Sequence, residues 1–144
     1  MVPDVNILVA ASRSDHPHHR VARSWLEAAL AACAAGASFK LPPMVVASFL
    51  RLVTHPKIFL TPTPVQEAAG FVDALLSISG VDLPAAGAEW PLLRQLCLEK
   101  QIKSNGIPDA WLAATILQLG EHLVTFDADF KKLLRRERLT VLAV

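Results

Sequence analysis

Short apolar runs of β character alternate along this chain with longer apolar stretches of helical period. That alternation restricts the fold more than any other feature, because strand–helix–strand order favours a parallel sheet with helices on both faces. The first run, Val2 to Val9, predicts a buried strand that turns near Asp4 to Asn6 and holds Pro3, which cannot donate to a ladder. A helix follows. Asp15 or His16 caps it, Pro17 lies in its first turn, Val21, Trp25, Ala29, Leu30 and Cys33 form its apolar side, and Gly36 ends it. Ala37 to Leu41 reads as a second strand, and Met44 to Thr54 as a short helix with Val45, Phe49, Leu52 and Val53 inward. Thr63-Pro64-Val65-Gln66 fits a capping box ahead of an apolar helical repeat that runs to Leu76. Val81 to Leu83 is a short strand, and Ala88 to Gln101 a helix with Trp90, Leu93, Leu96 and Cys97 on one face. Pro108 opens a helix from Asp109 to Leu119, which Gly120 ends. His122 to Phe126 is a strand, Asp127 to Arg135 a helical turn, and Leu139 to Leu142 the last strand.

The expected class is α/β, a single domain over residues 1–144 with a central parallel sheet flanked by α-helices. An apolar share of 53% suffices for a packed core. Lys and Arg number 14 against 13 Asp and Glu, so the chain as a whole is no polyanion binder, and contact with nucleic acid would fall to a local patch. One such run is Lys131, Lys132, Arg135, Arg136 and Arg138, whose plainer reading is a solvated helical face. Cys33 and Cys97 lie in apolar stretches, which reads as buried thiols in a reducing, cytoplasmic compartment. Met1 to Ala11 is too short to cross a bilayer and lacks a basic leader, so no membrane partner is expected. His16, His18 and His19 are spaced poorly for tetrahedral ligation and read as surface polarity. Trp25, Trp90 and Trp111 fall on apolar helical stripes and read as core or interface.

Ligands collect beyond the carboxyl ends of the strands in an open α/β sheet. Asp4 falls where the first strand turns, Asp109 in the first turn of a helix, and Asp127 directly after Leu123-Val124-Thr125-Phe126, with Asp129 two residues on. Carboxylates packed together repel, so a cluster of them persists only with a cation. Oxygen-only ligands suit Mg²⁺ or Mn²⁺, and such an ion serves phosphodiester hydrolysis. Each acid taken singly also has an ordinary structural reading: Asp4 as a turn residue, Asp109 as a carboxylate on a helix dipole, Asp127 as an N-cap. Composition and periodicity leave a metal nuclease as one of several readings.

Four stretches carry a family resemblance. Pro3-Asp4-Val5-Asn6-Ile7-Leu8 resembles the opening of PIN-domain ribonucleases. Asn105-Gly106-Ile107-Pro108-Asp109-Ala110-Trp111-Leu112-Ala113-Ala114 resembles their third acidic motif, and Val124-Thr125-Phe126-Asp127-Ala128-Asp129-Phe130 their fourth. Phe49-Leu50-Arg51-Leu52-Val53-Thr54-His55-Pro56 is similar to a helix signature of the VapC toxins within that family. The resemblance implies a Mg²⁺- or Mn²⁺-dependent endoribonuclease, the toxin of a toxin–antitoxin pair, working as a homodimer and neutralised by a cognate VapB-type antitoxin. It implies that Asp4, Asp109 and Asp127 are catalytic and hold the metal or its water shell. Asn6 and Thr125 match supporting polar positions, and Asp129 matches a variable acidic one that is a further candidate ligand. Arg51 matches an Arg that would contact RNA phosphate or the site acids, the alternative being a helix-surface charge. One departure stands out. The family's second acid falls at Val46, and no Asp or Glu occurs from Lys40 to Gln66.

Three functions compete. An RNA-cutting metalloenzyme would hydrolyse a phosphodiester and leave a 5′-phosphate. A binding module would sequester RNA or an antitoxin, its catalysis weakened with the missing acid. A metal-dependent phosphatase on a similar sheet lacks support, since no Gly-rich phosphate loop or nucleophile motif is present.

Overall fold

The computed structural model describes residues 1–144. Five short strands are all paired in parallel: β1 (Val2–Pro3), β2 (Phe39–Lys40), β3 (Val81–Asp82), β4 (Leu123–Thr125) and β5 (Leu139–Val141). Six helices connect and cover them: α1 (Val5–Ser12), α2 (His19–Cys33), α3 (Pro43–Val53), α4 (Val65–Leu76), α5 (Trp90–Lys100) and α6 (Ile107–Leu119). One sheet has the order β1-β4-β5, and β2 pairs with β3 beside it. The Lys40 N–H donates to the Met1 carbonyl at 2.9 Å, so the two sheets continue one another across β1. The α/β class and the parallel pairing are as the alternation predicts.

The first strand is far shorter than Val2 to Val9. Pro3 pairs in register with Val124, the Asp4 N–H donates to the Val124 carbonyl at 2.8 Å, and the chain then turns into α1. Ile7, Leu8 and Val9, read as strand, are buried helix instead. A short apolar run has no period of its own to tell strand from helix. What decides here is Asp4, whose extended backbone and side chain cap the helix that follows.

Two further caps differ from expectation. Pro17 precedes α2, which starts at His19, and Asp15 pairs with Arg13 rather than capping. Thr63 makes no capping box on α4; its hydroxyl accepts from Arg13 Nη1 at 3.0 Å, and Pro64 occupies the cap position. Arg13 is 8% exposed, stacks 3.8 Å from the centroid of the Phe59 ring, and also donates to the Thr61 carbonyl. It ties the end of α1 to the loop before α4.

Ile7, Leu8, Phe39, Phe49, Ile116 and Val124 are fully or almost fully buried and form the centre of the core. α6 is buried along much of its length and stops at Gly120, whose φ of +65° closes the helix in the left-handed region. α5 buries only Leu96, so Trp90 of its expected apolar stripe stays 60% exposed, and Leu98 beside that stripe 55%. Both cysteines are free thiols, Cys33 buried and Cys97 half-buried. No helix is long and apolar enough to cross a membrane.

Candidate metal centre

Parallel strands put all their carboxyl ends on one rim, and a helix that packs back between two strands begins at that same rim. β1 ends at Pro3 with Asp4 next, β4 ends at Thr125 with Asp127 two residues on, and α6 starts at Ile107 with Asp109 in its first turn. The topology alone therefore gathers three acids that lie more than a hundred residues apart at the extremes.

A single hydroxyl organises two of them. Thr125 is wholly buried, and its Oγ1 donates to Asp4 Oδ2 at 2.7 Å. The same oxygen accepts from Asn6 Nδ2 at 3.2 Å and from the Asp127 N–H at 3.0 Å. Asn6 completes the loop by accepting from the Phe126 N–H at 3.3 Å. Asp4 spends its other oxygen on the Val5 N–H at 2.7 Å. Asp127 caps the 3-10 turn Ala128–Lys132, its Oδ1 accepting from the Asp129 N–H at 2.8 Å. The ordinary N-cap reading of Asp127 thus holds together with its place on the rim, and Asp4, read singly as a turn residue, caps α1 there. Asn6 and Thr125 hydrogen-bond to each other, and Thr125 to Asp4.

The electrostatics follow from this packing. Burial pushes the Asp4 carboxyl up to about 6, against the pull of the Thr125 and Val5 hydrogen bonds, and the charges of Asp109 and Asp127 push it further in the same direction. Asp109 is also raised, by burial first and then by Asp127 and Asp129. The acids therefore act on one another, and no Lys or Arg forms an ion pair with Asp4, Asp109 or Asp127. Oxygen-only, mutually repelling and without a protein cation, this donor set fits a hard divalent ion. The acids do not close up into a tight cage of three. Mg²⁺ keeps several waters and is commonly held by one or two carboxylates, so the looser spacing is compatible with it.

The remaining expected residues fare differently. Asp129 is 74% exposed and sits 3.6 Å from Lys132. Arg51 is exposed in the last turn of α3 and pairs with no carboxylate. Val46 is half-buried on α3 and packs against the core. The three histidines are not plain surface polarity: His19 Nδ1 lies 2.8 Å from the Ala10 carbonyl, His16 Nδ1 accepts from the His18 N–H, and the His18 ring packs on Phe126.

One buried acid escaped the sequence reading. Glu89 is 5% exposed; its Oε1 accepts from Trp111 Nε1 at 2.7 Å and its Oε2 from the Gly87 N–H at 2.7 Å. It fastens the start of α5 to the first half of α6, two residues past Asp109. Its only sequence signal is a Glu just ahead of Trp90-Pro91, which reads equally as a dipole-favoured surface acid.

Comparison with known proteins adds to this geometry. A family model described as PIN domain matches residues 1–135. The chain is 42% identical to a protein named Ribonuclease VapC31 of Mycobacterium tuberculosis, over 90% of this chain and 89% of that one. It is 40% identical to Ribonuclease VapC25 of the same organism, with the same shares covered. It is 35% identical to Ribonuclease VapC43, over 92% of this chain and 88% of that protein. Its fold is similar to that of VapBC2 from Rickettsia felis, whose crystal structure is of the complex bound to a DNA fragment from their promoter. That likeness has a TM-score of 0.61 at 18% identity, over 92% of this chain and 91% of the other.

Proposed function

This chain belongs to the PIN-domain family, and from that premise we propose that it is a VapC-type toxin, an endoribonuclease that hydrolyses RNA phosphodiester bonds with the help of Mg²⁺ or Mn²⁺. In this reading the whole of residues 1–144 is one PIN domain, Asp4, Asp109 and Asp127 hold the ion, and Asp129 is an outer ligand. The protein acts in the cytoplasm as a homodimer, for which the exposed Trp90 and Leu98 on α5 offer an apolar surface. A cognate VapB-type antitoxin neutralises it.

The observation that carries the reading is the set of carboxylates at the strand rim, Asp4 and Asp127 joined through Thr125, with no Lys or Arg paired to them. When bound there, the ion would supply Lewis acidity toward phosphate oxygens and a water whose pKa is brought toward neutrality. The chain's own part is positional. Thr125 and the Val5 N–H fix both oxygens of Asp4, each of which keeps a lone pair free. Asn6 holds the Thr125 hydroxyl in the orientation that donates to Asp4. Asp127, with Oδ1 taken by Asp129, keeps Oδ2 free. Asp109 rides on the positive end of α6, which favours its charged form against the repulsion of Asp127.

The test is cleavage of a structured RNA in Mg²⁺ or Mn²⁺ by the parent and by Asp4→Asn and Asp109→Asn. Loss of cleavage in both variants and in EDTA supports the reading. Cleavage that survives both changes, or ignores EDTA, overturns it. One observation favours a second reading, a weakened RNA- or antitoxin-binding module: Val46 is apolar where the family has an acid, and it packs on the core. A parent that binds RNA without cutting it, and that cuts once Val46→Glu is made, would establish that module instead.

A further inference from the structure

The segment from Lys131 to Arg138 carries five of the chain's 14 Lys and Arg and one acid, Glu137, so the rest of the chain is net negative. Lys131, Lys132, Arg135, Arg136 and Arg138 are all exposed. Lys131, Arg135 and Arg136 line one open cleft of about 480 Å³ with a single acid, Glu137, and with Leu134, Leu139 and Val141. Lys131 and Arg135 have no carboxylate partner, and Arg136 reaches Glu137 only at 3.8 Å. The segment is also anchored. Phe130 and Leu134 are buried beneath it, Arg138 Nη1 donates to the Glu121 carbonyl, and His122 bridges the Glu137 carbonyl and Thr140 Oγ1. Its upper end is the 3-10 turn that Asp127 caps, and its lower end leads into β5. A fixed strip of positive charge therefore starts beside the acid rim and descends the β5 edge of the sheet.

From this continuity we infer that the Lys131–Arg136 strip is a phosphate track for single-stranded RNA on one side of the bond that is cut. The inference rests on the ribonuclease reading for its occupant. Acids on the rim repel a polyanion, and the strip, which begins in the turn that Asp127 caps, offsets that repulsion. No aromatic ring lines the cleft, so it grips the backbone and not the bases. Its contribution is insensitive to sequence and sensitive to salt.

The test compares the parent with a Lys131→Gln/Arg135→Gln/Arg136→Gln triple variant, all three sites being exposed. A second triple, Arg20→Gln/Arg94→Gln/Lys100→Gln, makes the same charge change on α2 and α5. Binding of a labelled 30-nucleotide single-stranded RNA is measured against salt, with Asp109→Asn in every protein so that the RNA stays whole. The strip variant should show a slope of log K on log salt shallower by about 2, from roughly 0.7 per lost contact, while the second triple matches the parent. In the cleaving background the strip variant should raise KM for the long RNA roughly tenfold, with kcat unchanged. Equal slopes in all proteins, or an equal loss in the second triple, overturn the track. So does a strip variant that binds RNA normally but loses affinity for poly-L-glutamate, which would assign the cleft to an acidic protein segment. Because the binding arm needs no cleavage, an inactive parent would count against the ribonuclease reading and leave the slope to decide the track.

Discussion

Replacing Asp4 by Asn should disable the site and, in the absence of divalent ions, make the fold's stability less dependent on pH. The raised Asp4 carboxyl, at about 6 against an ordinary 3.8, means that the folded chain binds a proton more tightly than the unfolded one. Keeping it ionised at pH 7.5 costs about 3 kcal/mol, at 1.36 kcal/mol per unit. That cost is absent below the unfolded value and grows as pH rises through 6. The amide introduces its own cost: either Val5 N–H or the Thr125 hydroxyl, already acceptor to two donors, meets an NH₂ group, and a lost bond of this kind costs about 1–3 kcal/mol. This second cost does not titrate. The stability of Asp4→Asn relative to the parent should therefore improve by about 1.4 kcal/mol between pH 5 and pH 7.5, whatever its absolute value. Urea unfolding followed by tryptophan fluorescence in EDTA reads this directly, with Trp25, Trp90 and Trp111 as probes. A difference between the two proteins that is constant across that range, or that moves the other way, refutes the electrostatic account of the rim. Adding Mg²⁺ or Mn²⁺ at pH 7.5 should stabilise the parent more than the variant, since only a ligand of the folded state shifts the equilibrium.

Other substitutions probe the supports. Thr125→Val removes the donor that lowers Asp4 and strands the Asn6 and Asp127 donors; it should destabilise by about 2–3 kcal/mol in urea and move the acid limb of the pH–rate profile upward. Glu89→Gln turns an NH₂ toward either Trp111 Nε1–H or Gly87 N–H and should cost about 1–3 kcal/mol, visible as a lower urea midpoint with an unchanged slope. Arg13→Lys loses the fork that serves Asp15, Thr63 and the Thr61 carbonyl and should cost about 2 kcal/mol while leaving kcat unchanged; a lowered kcat at full folding would show that the loop before α4 reaches the site.

The architecture was legible because strand–helix order and the rim rule depend only on local periods. Asp4, Asp109 and Asp127 could be placed on one rim from their positions at a strand end, a helix start and a strand end. What stayed hidden depended on distant partners. Thr63 looks like a cap until Arg13, fifty residues earlier in the chain, takes its hydroxyl. The run through Ile7 to Val9 is apolar at every position, so only the Asp4 cap assigns it to a helix. Trp90 fits an apolar stripe, yet α5 is covered on one side only and leaves it exposed. Glu89 carries no motif, since its burial comes from Trp111 of another helix. Arg51 sits in a matching motif, but a motif fixes neighbours in sequence and not where an exposed side chain reaches.

The Thr125 hydroxyl has a consequence for how such a site changes over time. One oxygen serves the Asp4 and Asn6 side chains and the Asp127 N–H at once, so the effect of altering Asp4, Asn6 or Thr125 depends on which of the others are intact. The effects of substitutions at these three positions are therefore not additive, and each is to be judged against the state of the other two.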